Sequence, residues 1–127
     1  MKKLITLTAA ALVAATFAAP AQAQSYRVTN SGSCSVASVW KLKAKADNGR
    51  IEVEFEVDTP TTGQAWGVVL RNDGRVVHRG TYTTQAPSDS FTVERRIRNT
   101  AGADRIKADA VNLVTGETCT GAVRYAR

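Results

Sequence analysis

Residues 40–58 read WKLKAKADNGRIEVEFEVD. Lys41, Lys43 and Lys45 stand on alternate positions, Asn48-Gly49 follows, and Glu52, Glu54 and Glu56 then alternate in turn. Asn-Gly between alternating segments is the strongest short-range signal for a two-residue hairpin turn. With the turn placed there, Asp47 faces Arg50, Ala46 faces Ile51, Ala44 faces Val53, Leu42 faces Phe55 and Trp40 faces Val57. The other side pairs Lys45 with Glu52, Lys43 with Glu54 and Lys41 with Glu56. One register therefore yields a wholly apolar face and a face of opposite charges, and a one-residue slip would invert both. Exposed cross-strand ion pairs contribute only about 0.2–1 kcal/mol each. The pattern is thus read as a device that fixes register and keeps one face solvated, not as a binding surface.

The same period of two runs on along the chain. Residues 64–71, QAWGVVLR, place Trp66, Val68 and Leu70 on one side. Asn72-Asp73-Gly74 then reads as a three-residue hairpin loop, which sets Leu70 opposite Val76 and Val68 opposite His78. A polar loop with Pro87 occupies 84–90, and FTVERRIR at 91–98 carries Phe91, Val93 and Ile97 in phase. Arg95 breaks that apolar row, which predicts a bulge or an edge strand. Ile106, Ala108 and Ala110 alternate in the next strand, and Cys119, Gly121 and Val123 in the last. Residues 25–30 are expected to add a short strand or an arm. No segment beyond the first two dozen residues holds a helical period. About seven strands at regular spacing, jointed by Gly, Asn, Asp and Pro, predict an all-β, antiparallel, immunoglobulin-like β-sandwich, with a small β-barrel as the alternative.

The beginning of the chain carries an address. Met1-Lys2-Lys3 is a basic start, Leu4 to Phe17 is uncharged, and Ala21-Gln22-Ala23 has the small-x-small form of a cleavage site. The apolar run is shorter than the roughly 20 residues a spanning helix needs. A signal peptide over 1–23, cleaved after Ala23, is therefore expected, with one domain over 24–127 and a secreted or periplasmic destination. Cys34 follows Ser31-Gly32-Ser33 rather than an apolar stretch, which excludes a lipidated cysteine. Loss of Lys2 and Lys3 leaves fifteen basic against eleven acidic residues, a net charge of +4 in place of +6. That mild excess does not by itself argue for nucleic acid.

Cys34 and Cys119 are the only cysteines. In an oxidising compartment two cysteines pair, and neither they nor the single histidine match a zinc spacing. A bridge across so long a loop is worth roughly 4–5 kcal/mol in the chain-entropy account. If the first long strand and the last run parallel side by side, both cysteines meet at one end of the sandwich.

VWKLKAKADNGRIEVEFEVD, GQAWGVVLRNDGRVVHRGT, APSDSFTVERRIRN and AGADRIKADAVNLVTGETC resemble small, uncharacterised secreted bacterial proteins with an immunoglobulin-like domain. The likeness spans the whole domain. It implies the fold and the export and brings no site residues with it.

Signals for chemistry are sparse. His78 lies mid-strand with no triad partner, and no G-x-S-x-G elbow exists. Glu52, Glu54 and Glu56 have the spacing of a glycosidase pair but form a flat outer row facing lysines. The aspartates fall one to a turn, without a calcium-loop run or a phosphate-binding glycine loop. No enzyme, metal or cofactor is expected. Arg96, Arg98 and Arg105 remain as a possible anion-binding patch, although no exposed aromatics interleave as in nucleic-acid platforms. The reading is a non-catalytic binding module for a protein or cell-surface ligand. The ligand would be touched through loops or a strand edge, TTQAPSDS (83–90) first among the loops. The alternatives are an inhibitor presenting a loop to an enzyme, and an enzyme using surface carboxylates.

Overall fold

The computed structural model describes residues 8–16 and 25–127. The basic start and the cleavage motif of the expected leader fall outside the described residues, and residues 8–16 carry no regular secondary structure. Eight strands follow: β1 (Arg27–Ser33), β2 (Val39–Asp47), β3 (Arg50–Asp58), β4 (Ala65–Asn72), β5 (Arg75–Thr83), β6 (Ser90–Arg98), β7 (Asp104–Asn112) and β8 (Thr118–Tyr125). They form two four-stranded antiparallel sheets in the orders β1-β2-β3-β6 and β5-β4-β7-β8, with no closed barrel. Residues 25–30 thus contribute to a full eighth strand at the edge beyond β2.

The β2–β3 hairpin takes the register that the alternation dictates, from Asp47 opposite Arg50 to Trp40 opposite Val57. Asn48 and Gly49 both adopt positive φ, 48° and 79°, the geometry of a type I′ turn. Leu42, Ala44, Ile51, Val53, Phe55 and Val57 are fully buried, and Trp66, Leu70, Ile106 and Tyr125 meet them from the other sheet. Each of these side chains larger than alanine contributes about 1.5–3 kcal/mol on leaving water. The chain crosses between sheets after β3, after β5 and after β6, so β6 returns beside β3 and β7 beside β4. Those two interlocked neighbours are the B–E and C–F relations of the immunoglobulin-like sandwich.

Two expectations are corrected. The β4–β5 hairpin closes with a two-residue turn, Asp73 at φ 50° and Gly74 at 81°, so Asn72 faces Arg75. A register shift after Arg71 makes Val77 an extra residue, and Leu70 faces His78 rather than Val76, with Val68 facing Gly80. The Asp-Gly signal outweighed the longer loop, and a bulge absorbed the difference. The first long strand and the last, β2 and β8, start from the same end but lie in opposite sheets. Arg95 sits in unbroken register opposite Val53, on a strand that forms the edge of its sheet. It is exposed because no strand covers that edge.

The disulfide joins Cys34, just before β2, to Cys119 of β8 and so ties one sheet to the other. Beside it the Trp40 indole lies between two glycines. A methyl group at Gly121 would stand 2.6 Å from Trp40 Cε3, and one at Gly32 would stand 2.9 Å from Cζ2. Both glycines are there because the ring needs a flat berth. Gly121→Ala is expected to lower the unfolding free energy by roughly 1–3 kcal/mol, the range for overpacking. Urea denaturation compared with wild type checks this, and an unchanged midpoint would mean that the ring can move aside.

Candidate functional site

The two ends of the sandwich differ in chemistry. One end carries the segments 34–38, 59–64, 84–89 and 113–117, among which there is no lysine or arginine. Its one buried charge is Glu117, 7% exposed. The backbone N–H groups of Val36, Ala37 and Ser38 donate to Glu117 Oε2 at 3.0, 2.7 and 3.0 Å, and the Ser38 hydroxyl donates to Oε1 at 2.5 Å. Burial pushes this carboxyl up, but the four hydrogen bonds together outweigh it and hold the group below the usual carboxylate range. Three converging N–H groups form an anion nest, and here the chain fills its own nest. Thr118 N–H donates to Ser35 Oγ, and Ser35 N–H to Thr118 O, completing the seam beside the disulfide. Sequence pattern gave no hint of Glu117, because its partners lie some 80 residues away.

The loop at this end that links β5 to β6 is well fastened. Asp89 N–H donates to Gln85 O at 2.8 Å, Thr59 N–H donates to Asp89 O at 3.1 Å, and the Thr62 hydroxyl reaches the Asp89 carboxylate. The buried Thr84 hydroxyl accepts from Gln64 N–H and donates to Thr61 O.

The outer face of the first sheet is polar apart from the exposed Val39 at the start of β2. Lys43 meets Glu54 at 2.9 Å and Lys45 meets Glu52 at 3.5 Å. The third expected pair, Lys41 with Glu56, does not close within ion-pair distance among the described residues. Burial and the neighbouring Asp58 instead push the Glu56 carboxyl up. Strand β6 adds a feature that the hairpin alone could not reveal. Glu94 faces Glu54 across β3, and the carboxylates of Glu52, Glu54 and Glu94 hold oxygens within 4.8 Å of one another. A hydrogen bond shared with Glu52, and the charges of Glu52 and Glu54, push Glu94 up.

His78 and Tyr82 form a pair on the inner side of β5. Nε2 and the phenolic oxygen lie 2.7 Å apart, arched over Gly80, and Tyr82 stacks on Phe91 at 5.8 Å. Burial, then the charge of Arg95, hold the imidazole below its ordinary range. This histidine is a packing residue with a phenol partner.

The opposite end, at the turns 48–49, 73–74 and 99–103, is where arginine collects. Arg50 of β3 stands directly opposite Arg98 of β6, and Arg105 of β7 directly opposite Arg124 of β8. Among the described residues neither pair, nor Arg75 between them in sequence, has an ion-pair partner. Like charges placed directly across a ladder cost stability. The acids nearby are already engaged. Asp47 meets Arg96 at 2.8 Å, and Asp73 Oδ1 accepts the Arg105 N–H at 2.8 Å. Asp104 is fully buried and accepts from Asn72 and Thr100.

An open cleft of about 630 Å³ lies at this end, between Arg75 and Val77 of β5, Arg98 of β6, and Thr100 and Ala101 of the 99–103 turn. Of the three arginines singled out from sequence, Arg96 and Arg98 lie on β6 in the first sheet, and Arg96 is spent on Asp47. Arg105 belongs to β7 in the second sheet, where it shares a separate depression of about 490 Å³ with Arg124. Arg50, Arg75 and Arg124 lie outside the patch expected from sequence, because the residues beside them come from distant parts of the chain.

Among the described residues no helix is long and apolar enough to cross a membrane. Comparison of the chain with protein-family models, with curated proteins and with solved structures gives no match.

The Glu117 clamp has a consequence for acid stability. A carboxyl whose folded pKa is depressed adds stability above its unfolded value, near 4.5, and the gain is lost as pH falls through the folded value. Glu117→Gln is therefore expected to cost roughly 1.5–3 kcal/mol near neutral pH, the range for hydrogen bonds to charged groups. The gap between variant and wild type should narrow in strong acid. Glu56 and Glu94 shift the other way, so the wild-type curve alone would mix the signs, whereas the difference between the two proteins isolates Glu117. Urea titrations at several pH values measure it, and a gap independent of pH would rule the clamp out.

Proposed function

We propose that this chain is an exported, non-catalytic binding module that holds an anionic cell-surface ligand at its arginine-bearing end. One observation carries the reading. Two arginine pairs, Arg50–Arg98 and Arg105–Arg124, stand face to face on separate sheets at the same end; Asp47 also faces Arg50 but is ion-paired to Arg96, and among the described residues none of the four arginines has an ion-pair partner. A fold gains nothing from such pairs, and an anion laid across them removes the repulsion. The far end, without lysine or arginine in its loops, makes the molecule electrically polar, so a small net charge still orients it on an anionic surface. The disulfide, which persists in oxidising compartments, supports the exported part of the reading.

A second reading has one observation in its favour. The 84–89 loop is tied down at both ends, as a loop presented to a foreign enzyme would be. It is separable, because an inhibitor would lose its effect on changes at Pro87 or Ser88 and not at the arginines.

The test exploits the cost of like charges. Arg98→Glu and Arg124→Glu each place an opposite charge across from the remaining arginine. The double variant should fold with equal or higher stability, by up to about 0.2–1 kcal/mol per pair. It should also lose retention on immobilised polygalacturonate at a salt concentration where wild type is held. Equal retention of the two proteins would refute the proposal, and the stability measurement shows that any loss is not unfolding.

A further inference from the structure

We infer that the cleft between the two sheets is a site for one acidic sugar unit, a monosaccharide carrying a carboxylate or a phosphate. The inference rests on the anionic-ligand reading above and refines it to a pocket and a chemical class.

The cleft offers two sets of groups that need opposite partners. At its mouth Arg75 and Arg98, one from each sheet, are exposed and have no carboxylate partner among the described residues. A guanidinium fork matches the paired oxygens of a carboxylate or a phosphate. The lining also offers an acceptor. Asn72 lines the cleft at only 6% exposure, and its Nδ2 donates to Asp104 Oδ1 at 2.9 Å, which leaves its own Oδ1 buried with no donor in the protein. Asp104 Oδ1 also receives the Thr100 N–H at 3.2 Å and the Thr100 hydroxyl, whereas Asp104 Oδ2 is buried without a donor. Buried acceptors without donors are rare in folded proteins. Asp104 is fully buried and off the lining, where it orients the Asn72 amide, so the Asn72 oxygen is the acceptor that the cleft offers. That acceptor together with two guanidiniums that have no ion-pair partner suits a ligand that brings a hydroxyl donor on one side and an anionic group on the other.

Simpler ligands meet only half of this. Inorganic phosphate satisfies the arginines and brings few donors, and a neutral sugar does the reverse. The lining contains no aromatic side chain on which a nucleobase could stack. Val77, the extra residue of the β5 bulge, and Ala101 supply small apolar surfaces for the C–H face of a sugar ring. The volume lies within the usual range for small-ligand sites, and the open mouth lets a polymer continue outward. Asp73 also borders the cleft, but its Oδ1 is turned to the Arg105 N–H at 2.8 Å.

The oxidised protein, labelled with nitrogen-15, is titrated separately with glucuronate, glucose 6-phosphate, glucose and inorganic phosphate. The amide signals of Asn72, Asp73, Thr100 and Ala101 should move with at least one of the two sugar anions. Binding should be at least about tenfold tighter than for glucose or inorganic phosphate, the effect of one added charge-assisted hydrogen bond. The preferred sugar anion tells carboxylate from phosphate. Arg75→Ala and Arg98→Ala should each weaken it about tenfold on the same reasoning. Ala101→Trp fills the cleft without touching the buried Asn72–Asp104 pair and should abolish binding, whereas Arg105→Glu should leave it unchanged. Equal affinity for phosphate and glucose 6-phosphate, signals that move elsewhere, or binding that survives Ala101→Trp would each overturn the cleft assignment while leaving polymer retention intact. Failure of polymer retention with intact monosaccharide binding would overturn the polymer reading alone.

Discussion

The register between β2 and β3 is the constraint on which the rest depends. Those strands supply one inner face, Trp40, Leu42 and Ala44 beside Ile51, Val53, Phe55 and Val57, and each of these side chains is buried. A slip of one residue would bring lysines and glutamates inward and expose all seven. All but Ala44 would each forfeit a burial term of order 1.5–3 kcal/mol, which dwarfs anything the outer ion pairs contribute. The outer charges therefore do not hold the strands together. They make the wrong register worse, and they keep the correct one soluble.

Once that face is fixed, the second sheet must cover it, and the way it is fastened is uneven. Along the side formed by β1, β2 and β8 the sheets are joined repeatedly. The disulfide and the Glu117 clamp close one end. Asn30 Nδ2 donates to Ala122 O midway, and Tyr26 packs edge-on against Tyr125 at 5.1 Å near the other end. Along the β5–β6 side the joints are fewer and lie toward the disulfide end: the Gln85–Ser90 bridge and the Tyr82–Phe91 stack. Beyond them His78 and the exposed Arg95 mark the point where apolar packing between the sheets gives out.

How much of this was legible in the sequence follows from how local each feature is. The hairpin could be read residue by residue, since Asn48-Gly49 and two alternating rows define it within nineteen positions. The cysteine pair could be read because only one pairing exists. The edge position of Arg95 was visible as a break in an apolar row. Features that depend on which strand lies beside which were not legible. The bulge at Val77 needed the competition between two turn types to be resolved in three dimensions. The opposition of Glu54 to Glu94, and of Arg50 to Arg98, exists only because β6 returns beside β3 after a crossing to the other sheet and back. Arg96, Arg98 and Arg105 are close in sequence, yet the chain changes sheets between Arg98 and Arg105, which divides them. Arg75 entered the picture by the opposite route, far in sequence and near in space.

The cleft follows from the uneven fastening. Two sheets that twist against each other cannot stay in contact along both sides to both ends unless something joins them at each corner. Three corners of this sandwich have such a joint: the disulfide with Glu117, the Tyr26–Tyr125 contact, and the fastened 84–90 segment. At the fourth corner β5 begins just after the Asp73-Gly74 turn, a bulge displaces Val77, and β6 ends at Arg98 opposite a like charge. No apolar pair bridges the gap there. The buried Asn72 oxygen, without a donor in the protein, lines the gap, and guanidiniums rim it. Val77 and Ala101 are exposed at this corner, as poor packing alone would leave them. Poor packing does not account for the buried Asn72 oxygen without a donor or for two guanidiniums without ion-pair partners among the described residues, and the three kinds of group together make a surface that an amphipathic polar guest can satisfy.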